Sequence, residues 1–172
     1  MLNWAYFPRS AKPVPLAISV VQAFHGCFDT IDSARHTLKS NEVLTEVRPA
    51  LEAAGFRVER GSGSSEQIHV PVLYGNNGTV AKALEADAFH AAGRFVVEVE
   101  AGRAVVNNQF LKDLFQACMM DEVDYLGIAV RNAYSAGGGT SQDFSRVVTF
   151  FDTLYASSRL TLPLKGIVII VY

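Results

Sequence analysis

Few features of this chain are extreme, and what it lacks narrows the field first. It has only two cysteines, Cys27 and Cys118, set far apart in apolar stretches and outside any CxxC or Cys/His spacing. That excludes a zinc knuckle, a redox pair and a disulfide framework, and the two read as buried thiols of a reducing compartment. No apolar run approaches the roughly twenty residues of a membrane span; the longest, 166–172, closes the sequence. The first ten residues place aromatics ahead of the first positive charge and offer no small-residue cleavage site, so a cytoplasmic location is expected. An excess of one charge is missing too. Fifteen Lys and Arg stand against 17 Asp and Glu, a net charge of −2. This argues against nonspecific coating of nucleic acid and leaves a local basic groove open. Neither GxxxxGK[ST] nor GxGxxG occurs, so nucleotide-driven chemistry has no support. His25, His36, His69 and His90 share no metal-ligand spacing, and none forms a nucleophile elbow with Ser or Cys.

What is present is a chain of 172 residues, 49% hydrophobic and 19% charged, enough for one domain with its own core. Ile18, Val21, Phe24 and Phe28 recur at helical spacing over 16–31. A second helix, capped by Ser40, carries Val43, Leu44, Val47, Leu51 and Ala54 on one stripe and ends at Gly55, with Pro49 expected to kink it or delay its start. The period then turns alternating, predicting strands at 56–59, 68–74, 80–89 and 94–100, with a hairpin turn at 75–78 and another at 90–93. A helix follows from Asn107 or Asn108, with Phe110, Leu111, Leu114, Phe115 and Cys118 facing inward. A doubly covered strand at 125–130, a mobile loop over 132–142 with Gly137–Gly139, a helix over 143–157 and a buried strand at 167–171 complete the order.

The informative stretch is 83–100. A tight turn, pairing His90 with Gly93 or Phe89 with Arg94, sets Glu85 opposite Glu98 and Asp87 opposite Val96. Glu85, Asp87, Glu98 and Glu100 then share one face, while Leu84, Ala86, Ala88, Phe95, Val97 and Val99 line the other. Opposed like charges destabilise a sheet, so a compensating ion is implied, and hard oxygen ligands suit Mg²⁺, Mn²⁺ or Ca²⁺ rather than zinc. A wet acidic face on an ordinary hairpin accounts for the same spacing.

An acidic residue on one strand, a turn, an acidic pair on the next strand and then a helix resembles the active-site hairpin of the PD-(D/E)XK nuclease superfamily. Asp87 matches the first acidic position, Glu98 the second, and Glu100 the place usually held by lysine. Ala86 replaces the proline, and glutamate at the lysine position is found only in a subset of restriction enzymes. The resemblance implies an α/β fold with a restriction-endonuclease-like core over about 40–130: a mixed central sheet with helices on both faces, and an active-site hairpin followed by a crossover helix. An N-terminal helix and a C-terminal helix and strand flank that core, and 1–172 form a single domain.

The same resemblance implies a metal-dependent DNA endonuclease, working as a homodimer. Asp87 and Glu98 would hold Mg²⁺, or Mn²⁺ in its place, with the Val99 carbonyl as a further ligand, and Glu100 would ligate metal or orient the attacking water. Lys112, with Asn108 and Gln109 on one polar stripe, would supply the missing positive charge if the stripe leans over the hairpin; otherwise it is a solvated lysine. Gln109 would place water or phosphate. Arg103 and Arg131 are the leading DNA contacts among Arg94, Arg103, Arg131, Arg146 and Arg159. Two rivals stand beside this reading: a catalytically inactive relative that binds DNA or protein, and an unrelated α/β domain that binds a cation only for stability.

Overall fold

The computed structural model describes the whole chain except Met1, Ser62, Ser64, Arg103, Val106, Ala133, Gly137 and Gly138. The phosphate contact expected at Arg103 therefore lies outside the described residues. The elements run β1 (Trp4–Phe7), α1 (Pro15–Gly26), α2 (Phe28–Ile31), α3 (Ser40–Ala53), β2 (Arg57–Val58), β3 (Ile68–Tyr74), β4 (Val80–Ala86), β5 (Ala88–His90), β6 (Phe95–Glu100), α4 (Gln109–Met119), β7 (Tyr125–Val130), β8 (Tyr134–Ala136), β9 (Gly139–Ser141), α5 (Asp143–Ser157) and β10 (Gly166–Val171). A short 3-10 turn, Asn76–Gly78, joins β3 to β4.

Six strands form a mixed sheet in the order β1-β10-β7-β6-β5-β2. The pairs β10–β7 and β7–β6 are parallel; the outer pairs are antiparallel. Helices cover both faces, and alternation along the strands decides which side chains meet which helices. Val97 and Val99 of β6, with Val168 and Ile170 of β10, pack with α1 and α3. Val96, Leu126, Ile128, Ile167 and Ile169 pack with α4 and α5. A strand apolar on both sides, such as β10, thus has both sides buried.

Local chemistry explains the ends of α3. The Lys39 amide donates to Glu42 Oε2 at 2.6 Å and closes the N-terminus, so Lys39 and not Ser40 occupies the cap. The helix continues through Pro49. It stops before Gly55, whose φ of +94° favours glycine and where a Cβ would lie 2.8 Å from His90 Nε2. In α4, Phe110, Leu114 and Ala117 set the buried face, and this phase puts Asp113 inside with them. Phe115, expected inward, is 56% exposed because it falls on the opposite side of that helix. Both cysteines are half-buried rather than buried, and Cys27 Sγ donates to the Glu46 carbonyl at 3.2 Å.

Three expectations about strands change. β1 fell outside every predicted element; it is four residues long and gains its partner, β10, only through the register Trp4↔Ile170 to Phe7↔Ile167. The segment expected as a mobile loop contains two short strands, β8 and β9, paired from Tyr134↔Ser141 to Ala136↔Gly139. The single strand expected over 80–89 is broken at Asp87. β4 pairs with β3 as a separate hairpin, and β5 belongs to the central sheet. That hairpin is tied to the end of α4 by Tyr74 Oη donating to Asp121 Oδ2 at 2.8 Å and by the Asp121 amide donating to the Pro71 carbonyl at 2.7 Å.

Candidate functional site

The chain changes sheets at Asp87, and the break creates the site. Its carbonyl accepts from the Glu59 amide at 2.8 Å, which ties it to the strand edge at β2. Its side-chain Oδ2 accepts from the Val99 amide at 2.7 Å, which ties it to β6. Val99 is extended, so its carbonyl faces the same strand edge as its amide. The β5–β6 register runs Ala88↔Val97, Phe89↔Val96 and His90↔Phe95, two residues away from the expected one. The reason is the turn: four residues, 91–94, join the strands instead of two, with the Gly93 amide donating to His90 Nδ1 at 2.7 Å and Arg94 at φ 53°. A two-residue shift preserves the faces, so Glu98 and Glu100 still point one way.

That way leads into the layer shared with α4. In the β6–β7 register Glu98 lies beside Ile128 and Glu100 beside Val130; the two apolar partners are fully buried and the two glutamates half-buried. Two carboxyls interrupt an otherwise apolar layer, where ionisation is costly. The β3–β4 hairpin, β6 and α4 enclose a cleft of about 520 Å³ above them, lined by Asp87, Glu98, Glu100, Asp113, Gln109 and Lys112 among others.

Electrostatics in this cleft all run in one direction. Burial pushes Asp87 up to about 7; the Val99 amide pulls against this, while Glu59 and Asp113 add to it. Burial pushes Glu100 up to about 8, reinforced by the adjacent Asp113, to which its carboxyl is hydrogen-bonded. Asp113 rises to about 6, chiefly through burial and against the pull of Glu100, Lys112 and Gln109. Glu98 is held well above the usual carboxylate range by burial first and by Asp87 and Asp113 second. Nearby, Glu59 is raised by burial and by Glu85. Such clustering of perturbed acids in a cleft is characteristic of functional sites.

Asp87, Glu98, Glu100, Gln109 and Lys112 all line this cleft, with Val99 presenting its backbone beside Asp87. Lys112 is exposed, yet its charge acts on Asp87, Glu100 and Asp113. Glu85 is not opposite Glu98. It pairs with His69 on β3 because β4 leaves the central sheet, and it lies exposed on the cleft rim. Arg131 is not at the cleft either: it is 7% exposed and its Nη2 donates to the Leu38 carbonyl. Arg94, another of the arginines considered for phosphate, instead engages Asp124 through Nε at 2.9 Å.

Sequence reasoning missed Asp113, Glu59 and His69, all of which line the cleft. Asp113 carried a usable signal, since Gln109, Lys112, Asp113 and Gln116 recur at i, i+3, i+4 and i+7 on one helix face. Glu59 and His69 had none, because their positions depend on where the chain breaks at Asp87.

The donor set is hard oxygen throughout, which suits Mg²⁺ or Mn²⁺. Among the described residues, no three His, Cys, Asp or Glu side chains are arranged to hold a metal ion as they stand. The fit therefore rests on pairs of carboxylates. Mg²⁺ is ordinarily held by only one or two, with water completing its shell.

No protein-family model matches the chain, and no curated protein matches it. Among solved structures, the restriction endonuclease BglII complexed with a DNA 16-mer superposes with a TM-score of 0.49 at 10% identity, over 99% of this chain and 75% of that one.

Proposed function

We propose that this chain is a Mg²⁺- or Mn²⁺-dependent DNA endonuclease of restriction-enzyme type, hydrolysing phosphodiester bonds. One observation carries the reading: Asp87, Glu98 and Glu100 converge in a single cleft, two of them inside the layer that Ile128 and Val130 otherwise fill. Buried like charges without matching cations are unfavourable unless protonated or balanced by a bound ion. A divalent cation there would lower the pKa of a water and neutralise charge on the scissile phosphate. Asp87 and Glu98 hold it, beside the Val99 carbonyl. Glu100 occupies the lysine position of the superfamily pattern and orients the attacking water or ligates the ion. Lys112, exposed on the rim, steadies the phosphate as a point charge.

Among the described residues that line the cleft, acids outnumber lysines and arginines, with Glu59, Glu85, Asp87, Glu98, Glu100 and Asp113 facing Lys82 and Lys112. A divalent ion bound there would reduce the repulsion that this excess presents to a DNA phosphate. Cutting both strands needs two such sites, hence a homodimer.

The test is cleavage of plasmid DNA in Mg²⁺ with wild type and Glu98→Ala, and DNA binding in Ca²⁺ for both. Cutting by wild type alone, with similar affinity for both, supports the proposal. A second reading, the inactive relative that only binds DNA or protein, is favoured by the lack of a three-ligand arrangement among the described residues. It replaces the first if wild type binds DNA yet cleaves no DNA or RNA in Mg²⁺ or Mn²⁺.

A further inference from the structure

Asp113 is 3% exposed, on the buried stripe of α4 between Phe110 and Leu114. No amide, hydroxyl or cationic donor reaches its buried Oδ2 among the described residues. Its neighbour across the layer boundary is the carboxyl of Glu100, within hydrogen-bonding reach. A carboxylate that served only to shape the helix would be expected to meet an arginine or a set of amides, because an unsatisfied buried acceptor costs about 1–3 kcal/mol. Asp113 meets another acid and the amide of Gln109, four residues earlier on the same helix. Among the described residues the cation that acts on it is Lys112, whose side chain is exposed.

We propose that Asp113 is a ligand for a divalent cation, paired with Glu100 across the β6–α4 boundary, so that the ion is held from the crossover helix as well as from the strand. The inference rests on the metal-dependent reading of this cleft and adds a residue that the hairpin pattern does not contain. Two carboxylates suffice for Mg²⁺ or Mn²⁺, whose remaining positions stay with water. Gln109 fixes the carboxylate's orientation from one helical turn away, the part that outer-shell partners play at metal sites.

The experiment is titration of the full chain with Mn²⁺ alone, without DNA, by calorimetry at about pH 8, where ligand carboxyls compete least with protons. Wild type, Asp113→Asn, Glu100→Gln, the double variant, Glu98→Gln and Asp29→Asn are compared. Asp29 is a 93% exposed side chain in α2, and its variant controls for net charge. Asp113→Asn is expected to weaken Mn²⁺ by about tenfold or more. Asp29→Asn should leave affinity unchanged, and the double variant should lose no more than the weaker single. Unchanged affinity in Asp113→Asn alongside loss in Glu98→Gln overturns the inference and leaves the proposed function standing. Absence of Mn²⁺ binding by wild type overturns both. Should Asp113→Asn fail to fold, Asp113→Ser is titrated in its place with the same two outcomes, because Glu100 is already assigned to this site and its loss alone would not identify Asp113.

Discussion

The amide of Val99 donates to Asp87 Oδ2 at 2.7 Å, across the point where β5 ceases to pair with β6. An acidic side chain thereby replaces a strand partner, and its carboxyl is held where the ladder ends. Asp87→Asn keeps an oxygen for that bond and deletes the charge. The ion-free variant should be more stable than wild type by about 1 kcal/mol at neutral to alkaline pH, since one unit of carboxyl shift is worth about 1.4 kcal/mol. It should also lose any stabilisation by Mg²⁺. Thermal melts with and without the ion test this, and equal Mg²⁺ shifts in the two proteins count against the metal site.

Acid–base linkage gives the ion-free protein an inverted pH profile. Asp87, Glu100 and Asp113 keep their protons to about 7, 8 and 6 when folded, whereas the unfolded chain releases them near ordinary carboxylate values. Folded molecules therefore bind more protons, and stability is full below about pH 4 for these groups and falls as pH rises towards 8. Urea titrations across that range should show the decline, and saturating Mg²⁺ should flatten it. Stability that rises between pH 5 and 8 without metal would refute the buried-acid description.

Glu98→Ala should lower plasmid cleavage by about three orders of magnitude, roughly 4 kcal/mol of barrier, with DNA affinity in Ca²⁺ nearly unchanged. Glu100→Lys probes the position that the proposed nuclease reading would ordinarily give to lysine, and the new ammonium would neutralise Asp113 and displace any bound ion. Loss of cutting is expected; retained cutting would assign Glu100 to orienting water alone.

Arg131→Ala should act on stability rather than on DNA. Its guanidinium is buried against the Leu38 carbonyl, so removal should cost about 2 kcal/mol, as for a charge-assisted hydrogen bond. A filter-binding series that shows weakened DNA affinity with an unchanged melting temperature would contradict this placement.

Asp124→Ala tests the scaffold away from the cleft. Asp124 receives Lys165 Nζ at 2.8 Å and Arg94 Nε at 2.9 Å, drawing together the starts of β6, β7 and β10. Its carboxyl is held below the usual range, first by the Lys165 hydrogen bond. The variant should unfold at lower temperature with or without Mg²⁺, in contrast to the cleft variants.

Legibility differed by element for physical reasons. α5 and β7 could be read to the residue, because Val147 and Phe151 keep one period and the β7 run is apolar on both faces. Asp87, Glu98 and Glu100 were legible as partners because alternation survives a register error of two. The break at Asp87 was not, since it depends on β3 and β4 pairing apart from the central sheet. Asp113 lies on the polar stripe of α4, but its burial becomes clear only once Phe110, Leu114 and Ala117, and not Phe115, set the inward face. β1 was hidden because four residues carry too little pattern without their distant partner.

That last pairing has a consequence for how the protein is made. Trp4 lies beside Ile170, and β10 separates β1 from β7 in the sheet. A growing chain therefore exposes β1 with no strand to join until residues 167–170 have emerged, and the sheet cannot close stepwise from its beginning. Contacts this distant in sequence slow folding and leave the early segments in need of protection. Truncation just before β10 should yield an aggregation-prone product, even though every residue of the cleft would already be present.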